Sequence, residues 1–135
     1  MSHSRKIRVE FNHCDPAGIV FYPRYLEMLN SVIESFFRQE VGYSFRRMAD
    51  EGTAVPTAGL QIDFTAPSRL EEELDWRLEV RRLGRSSVTF RVTAHCAGEQ
   101  RLVATPTLVW LTAERRPAPW PDSIRPRLAD HQEPT

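Results

Sequence analysis

The chain has 135 residues, 41% hydrophobic and 27% charged, an ordinary globular mixture of a size that supports one domain around one core. Its 18 basic residues balance 18 acidic ones, which leaves no global field to draw nucleic acid, an anionic membrane surface or a polyanionic partner. No run of about 18 apolar residues occurs and none follows the basic N-terminal residues, so a cytoplasmic protein is expected, with free thiols at Cys14 and Cys96.

Ile7 to Phe11 reads as a strand that delivers the chain to Asp15. Pro16 and Gly18 then enforce irregular backbone, and Pro23 suits the first turn of a helix. From Pro23 to about Glu40 the apolar residues Tyr25, Leu26, Leu29, Val32, Ile33, Phe36 and Phe37 recur at spacings of three and four. Met28 widens that stripe, which predicts a helix mostly enclosed by the fold and ended by Gly42. Ser44 to Glu51 reads as a second, short helix with Ser44 as N-cap and Gly52 past its end.

The period then changes. Leu60, Ile62 and Phe64 alternate with polar residues until Pro67, which describes a strand. Trp76, Leu78 and Val80, then Val88, Phe90, Val92 and Ala94, form the inward faces of a long hairpin whose turn is Gly84 to Ser87. Leu102 to Thr112 follows the turn Gly98-Glu99-Gln100. The order predicts an α+β fold, with one long helix packed on a curled antiparallel sheet. Five prolines after Ala113 mark residues 114–135 as a tail with at most one helical turn near Leu128, so the single domain of residues 1–135 has its core at about 5–113.

Chemistry concentrates in His13 to Tyr25, HCDPAGIVFYPRY. Asp15 lies just upstream of a helix start whose unpaired N–H groups and positive dipole end can receive a carbonyl oxygen as charge builds on it. Carboxylate plus oxyanion donors suits acyl transfer to water. The donor is the main-chain N–H of Tyr22 or a neighbour, rather than the phenol. A structural reading competes: an isolated Asp-Pro is more often an Asx-type turn that does no chemistry, and the order of the whole run is what favours catalysis. His13 and Cys14 are adjacent and so point to opposite faces, which argues against a Cys-His pair and makes Cys14 a small packed hydrophobe. His3, His13, His95 and His131 show no metal-ligand spacing.

The run resembles the active-site segment of the 4-hydroxybenzoyl-CoA thioesterase family of the hotdog-fold superfamily, where an Asp-Pro-Ala-Gly turn precedes an aromatic pair and a Pro-x-Tyr helix start. The resemblance implies a hotdog fold, an antiparallel curled sheet wrapped around one long central helix. It implies a hydrolase that cleaves an aromatic or short to medium acyl-CoA, with Asp15 as nucleophile or general base and Tyr22 at the oxyanion position. Relatives sometimes carry His where this chain has Tyr22, and often an acid where it has His13. CoA enters as part of the substrate, and no cofactor is expected.

The resemblance also implies a homodimer or homotetramer with the active site between subunits, and a sheet with long outer strands has an edge that such pairing would cover. In that family the hairpin after the third strand contributes to nucleotide binding. Arg82, Arg85, Ser86 and Ser87 supply phosphate-binding chemistry there, Arg85 on one of the family's basic positions and Ser86 in place of another. The plain alternative is a solubilising charged turn. Arg46, Arg47, Arg69, Arg115 and Arg116 are weaker candidates for the same task. The acyl pocket is expected from Gly18, Phe21, Tyr22, Tyr25 and Leu26, with Ala58, Gly59 and Leu60 reaching it from the next strand and Gly59 offering a close backbone approach. Phe36, Phe37 and Trp76 read as core. An acidic acyl-carrier protein could replace CoA as acyl donor. Two other readings compete: a non-catalytic acyl-CoA or acyl-carrier-protein binding module, and a hotdog hydratase or dehydratase, which would need a His near the helix start that this chain lacks.

Overall fold

A computed structural model describes residues 1–134. Five strands, β1 (His3–Arg8), β2 (Thr57–Phe64), β3 (Glu73–Leu83), β4 (Ser87–Cys96) and β5 (Glu99–Val109), form one antiparallel sheet in the order β1-β3-β4-β5-β2. Helix α1 (Pro23–Phe36) lies on one face, α2 (Phe45–Glu51) follows it, and α3 (Arg125–Ala129) comes near the C-terminus. This is the curled sheet around a helix that the hotdog resemblance implies.

Alternation builds the sheet's inner face. Leu74, Trp76, Leu78 and Val80 of β3 and Val88, Phe90, Val92 and Ala94 of β4 are fully buried, while most residues between them stay accessible. Phe36 and Phe37 set their rings edge-on to Phe90, with centroids 5.3 and 6.3 Å away. Helix α1 buries Tyr25, Met28, Leu29, Val32, Ile33 and Phe36 but leaves Leu26, Glu27 and Asn30 exposed, so it is less enclosed than its wide apolar stripe predicts. The helix widens into a π-turn at Phe37–Val41 before Gly42 ends it at φ 74°. Ser44 caps α2 by accepting the Arg47 N–H at 3.1 Å.

Two boundaries differ from the sequence expectation. The first strand is His3–Arg8, not Ile7 to Phe11, because β3 begins at Glu73, opposite Arg8, and pairing partners run out there. Phe11 instead begins a 3₁₀ turn, Phe11–His13, and is 85% exposed. The core also does not stop at Ala113. Trp120, Ile124 and Leu128 are buried in it, Trp120 donating through Nε1 to the Ser87 carbonyl at 3.0 Å, since the apolar residues between the prolines fold back on the sheet. Past α3 the chain pairs with β3: the Val80 N–H donates to the His131 carbonyl and the Glu133 N–H to the Val80 carbonyl, both at 2.8 Å.

The same C-terminal segment meets the π-turn. Glu40 sits between two buried imidazoles, 3.1 Å from Nδ1 of His3 and 3.4 Å from Nε2 of His131, and His3 Nε2 lies 2.8 Å from the Ser35 hydroxyl. The His3 hydrogen bond, ahead of the charges of the two histidines, holds the Glu40 carboxyl below the ordinary range. No helix among the described residues is long and apolar enough to cross a membrane.

Candidate active site

The loop between the 3₁₀ turn and α1 folds on itself. The Asp15 N–H donates to the Ile19 carbonyl at 3.1 Å and the Gly18 N–H to the Asp15 carbonyl at 2.9 Å, a turn closed by Gly18 at φ 80°. The half-buried Asp15 carboxylate accepts the Ala17 N–H on Oδ1 at 2.9 Å, an Asx turn that fixes one oxygen and leaves the other unpartnered among the described residues.

At the helix start the main-chain donors are nearly all used. The Val20 N–H goes to Ser68, that of Phe21 to His13, that of Arg24 to Phe21 and that of Tyr25 to Tyr22, while Pro23 has none. Among the described residues the Tyr22 N–H is left without a main-chain acceptor, and Tyr22 already has helical backbone at φ −53°, ψ −35°. Its side chain is 61% exposed, with the Phe21 ring 5.7 Å away and the Phe64 ring of β2 6.1 Å away.

From this point three clefts follow one another between α1 and β2. The first, about 390 Å³, is lined by Ile19, Val20, Tyr22, Tyr25 and Phe64, and so opens beside the Asp15 loop. The second, about 180 Å³, lies between Leu26, Leu29 and Leu60. The third, about 370 Å³, continues it past Ile33 to Met48, Val55 and Leu108. Asn30 and Thr57 border both of the last two and, with Thr53 in the third, supply polarity in a mostly apolar trough. Tyr25 lines the mouth but is itself buried against Phe64, and burial pushes its phenol up. Leu26 and Leu60 line the second cleft. Gly59 does not line it, and a Cβ there would meet nothing within 4 Å, so the close approach expected at Gly59 is not made within the chain.

Sequence reasoning missed the support behind the Asp15 loop. Arg101, only 6% exposed, sends a bidentate fork to Glu72, from Nη1 at 2.8 Å and Nη2 at 3.1 Å. Nη1 also donates to the Pro67 carbonyl at 3.0 Å and to the Ser68 hydroxyl at 3.2 Å, while Nε lies 2.8 Å from Glu99 as a charge contact. The Arg101 fork, with the Arg69 N–H second, holds the Glu72 carboxyl down at about 2. An arginine directly before Leu102, near the head of β5, was the available signal; its partner stands 29 residues away.

The arginine-bearing hairpin is not brought to Asp15 within one chain. The Asp15 loop sits at the Glu73 end of β3 and the hairpin at its Leu83 end, ten residues later, or roughly 33 Å at the usual strand rise. Arg85 borders a cleft with Trp120 and Arg125, the latter a basic residue missed in the sequence, and Arg125 donates to the Gly84 carbonyl at 2.9 Å. Arg82 is exposed outside that cleft. Ser86 and Ser87 are half-buried and use their carbonyls to hold Trp110 and Trp120.

The chain resembles several solved structures over nearly its whole length. BH1999, a gentisyl-coenzyme A thioesterase, is 25% identical, with a TM-score of 0.83 over 89% of this chain and 97% of its own. Slr0204 from Synechocystis, a 1,4-dihydroxy-2-naphthoyl-CoA thioesterase, is 22% identical with a TM-score of 0.89, covering 99% of this chain and 100% of its own. SAV2348 from Staphylococcus aureus, solved in complex with CoA, is 13% identical with a TM-score of 0.91 over 100% of this chain and 88% of its own. No curated protein matches significantly. The profile of one family, however, spans residues 9–128, from the end of β1 through α3. By that match the chain belongs to the thioesterase-like superfamily.

Proposed function

We propose that the protein hydrolyses an acyl-CoA thioester to the free acid and CoA, as a relative of the 4-hydroxybenzoyl-CoA thioesterases. The observation that carries this is a half-buried carboxylate with one oxygen unpartnered among the described residues, in the same loop as a main-chain N–H without a main-chain acceptor among them, at the mouth of a mostly apolar trough. The acyl group enters the trough along α1 and its carbonyl oxygen takes the Tyr22 N–H. Asp15 then attacks the carbonyl carbon, expelling CoA thiolate and leaving a mixed anhydride that water cleaves, or it takes a proton from a water that attacks directly. Either route ends in carboxylate, CoA thiol and a regenerated Asp15. The trough suits an aromatic or a short to medium acyl group, with Asn30 and Thr57 available to a polar substituent.

The arginine hairpin joins this site through a second copy. Strand β2 is the exposed outer edge of the sheet, with its Phe64 end at the Asp15 side and its Thr57 end at the hairpin side. Two β2 edges paired antiparallel about a two-fold axis lay one subunit's hairpin end beside the other's Asp15 loop, so that Arg85 and Arg125 reach the phosphates of CoA bound at the partner's Asp15. An acyl-carrier protein offers the same cluster a similar charge.

The Asx turn also favours a second reading, in which Asp15 only shapes the loop and the protein binds acyl-CoA without cleaving it. Thiol release from benzoyl-, hydroxybenzoyl-, phenylacetyl-, short-chain and long-chain CoA esters separates the two. Wild-type turnover that falls at least about a hundredfold in Asp15→Asn is the expected result. Binding without turnover, or equal turnover by the variant, rejects the catalytic role.

A further inference from the structure

Residues 65–72, which link β2 to β3, lie between two sets of anchors. On one side stands β5. The Arg101 carbonyl accepts the N–H groups of Thr65 at 2.8 Å and Ala66 at 3.3 Å, and its guanidinium holds the Pro67 carbonyl, the Ser68 hydroxyl and both oxygens of Glu72. On the other side stands the Asp15 loop. The Val20 N–H donates to the Ser68 carbonyl at 2.9 Å, the Leu70 N–H to the Gly18 carbonyl at 3.4 Å, and Ile19 bridges to Arg69. Arg101 is thus one linker residue away from the peptide that fixes Val20, two positions before Tyr22. The linker's other side-chain tie to β5 is the Thr65 hydroxyl, which donates to the Gln100 carbonyl at 2.7 Å; Ser68 is its one fully buried residue, and Arg69, Leu70 and Glu71 are exposed.

Glu72 is also where the linker passes back toward the N-terminal segment. Its carbonyl accepts the Val9 N–H and the Glu71 N–H donates to the Val9 carbonyl, each at 2.8 Å. The ion pair therefore grips the linker where it holds the approach to the Asp15 loop from both ends. Glu71 has a left-handed backbone at φ 73°, a conformation that a non-glycine residue keeps only when its surroundings impose it, and the flanking Glu72 contacts do so here.

We infer that the Arg101–Glu72 pair is a positioning device for the reaction proposed above: by holding the linker rigid, it fixes the Val20 peptide and through it the relative placement of the Asp15 carboxylate and the Tyr22 N–H. Neither residue touches the acyl group. Their contribution falls on the chemical step, because the two reacting groups must meet one carbonyl at once and a displacement of about 1 Å costs roughly a hundredfold in rate. Substrate binding depends mainly on the trough along α1, which the pair does not line.

Two variants test this. Glu72→Leu/Arg101→Met replaces the ion pair with apolar groups of similar volume, an exchange that often leaves stability unchanged, and Arg101→Lys keeps the charge but loses the fork. Both are assayed for kcat and KM on the CoA esters named above, with thermal unfolding to report the folded fraction and hydrogen exchange to report the Val20 amide. The expected result is a kcat lower by about thirtyfold or more at a KM within about threefold, with the Val20 amide exchanging at least about tenfold faster. A folded variant that retains kcat within about threefold, or loses activity only through KM, overturns the inference. Should the wild type cleave none of the esters, the hydrolase reading fails, and the Val20 amide alone then decides: faster exchange in the variants sustains the brace and unchanged exchange removes it.

Discussion

Two substitutions at Tyr22 separate the work of its ring from that of its peptide. Its φ of −53° lies within the range that proline accepts, so Tyr22→Pro removes the N–H while keeping the backbone path. Loss of one oxyanion donor costs roughly 3 kcal/mol, so kcat for thiol release is expected to fall about a hundredfold in Tyr22→Pro. The exposed phenol makes no hydrogen bond among the described residues, so Tyr22→Phe should keep kcat within about threefold. Asp15, Gly18 and Tyr22 were legible because turn chemistry is local: proline and glycine set the backbone and the carboxylate follows. Arg101 and Glu72 were not, because the partner of a buried ion is chosen by strand register, and β5 meets the β2–β3 linker only once the sheet has formed.

Periodicity located α1, α2 and the β3–β4 hairpin because each carries its own repeat. It misplaced the first strand, whose length is set by where β3 begins, and it missed the contribution of residues 120–131, where prolines signal irregular backbone but say nothing about which side chains are buried. These long-range elements bring acids into partnerships with a stability consequence. Glu72 and Glu40 both have carboxyls lowered in the folded state, so each contributes stability that is complete above the unfolded glutamate range and is lost as pH falls toward the folded value. For Glu72 the window runs from the ordinary glutamate value of 4.5 down to about 2. Urea unfolding followed across that range should show stability declining with acidity, and Glu72→Gln should flatten the decline. A variant with the wild-type slope would show that the pair contributes no pH-linked stability.

For the whole molecule, the roughly 33 Å length of β3, with the Asp15 loop at one end and the hairpin at the other, becomes a test of assembly. If one subunit supplies Asp15 and the other Arg85 and Arg125, then Asp15→Asn and Arg85→Glu/Arg125→Glu are each impaired alone, but their mixed dimer contains one intact site of two. Co-expression followed by a thiol-release assay should therefore recover activity that neither parent has. Lack of recovery in a confirmed heterodimer would place both halves of the site on one chain. The C-terminal pairing with Val80 bears on how such an assembly stops growing. Beyond His3, β1 no longer covers β3, and residues 131–133 take over that stretch, while β1 itself is short and carries Arg5, Lys6 and Arg8. With that flank charged along β1 and covered at Val80, β2 alone among the described residues offers a long, weakly charged row of free peptide groups. A sheet that can add neighbours on both flanks can extend into a fibre, whereas one receptive flank is used up by a single partner, so trimming the last few residues would be expected to trade a closed particle for an open-ended polymer.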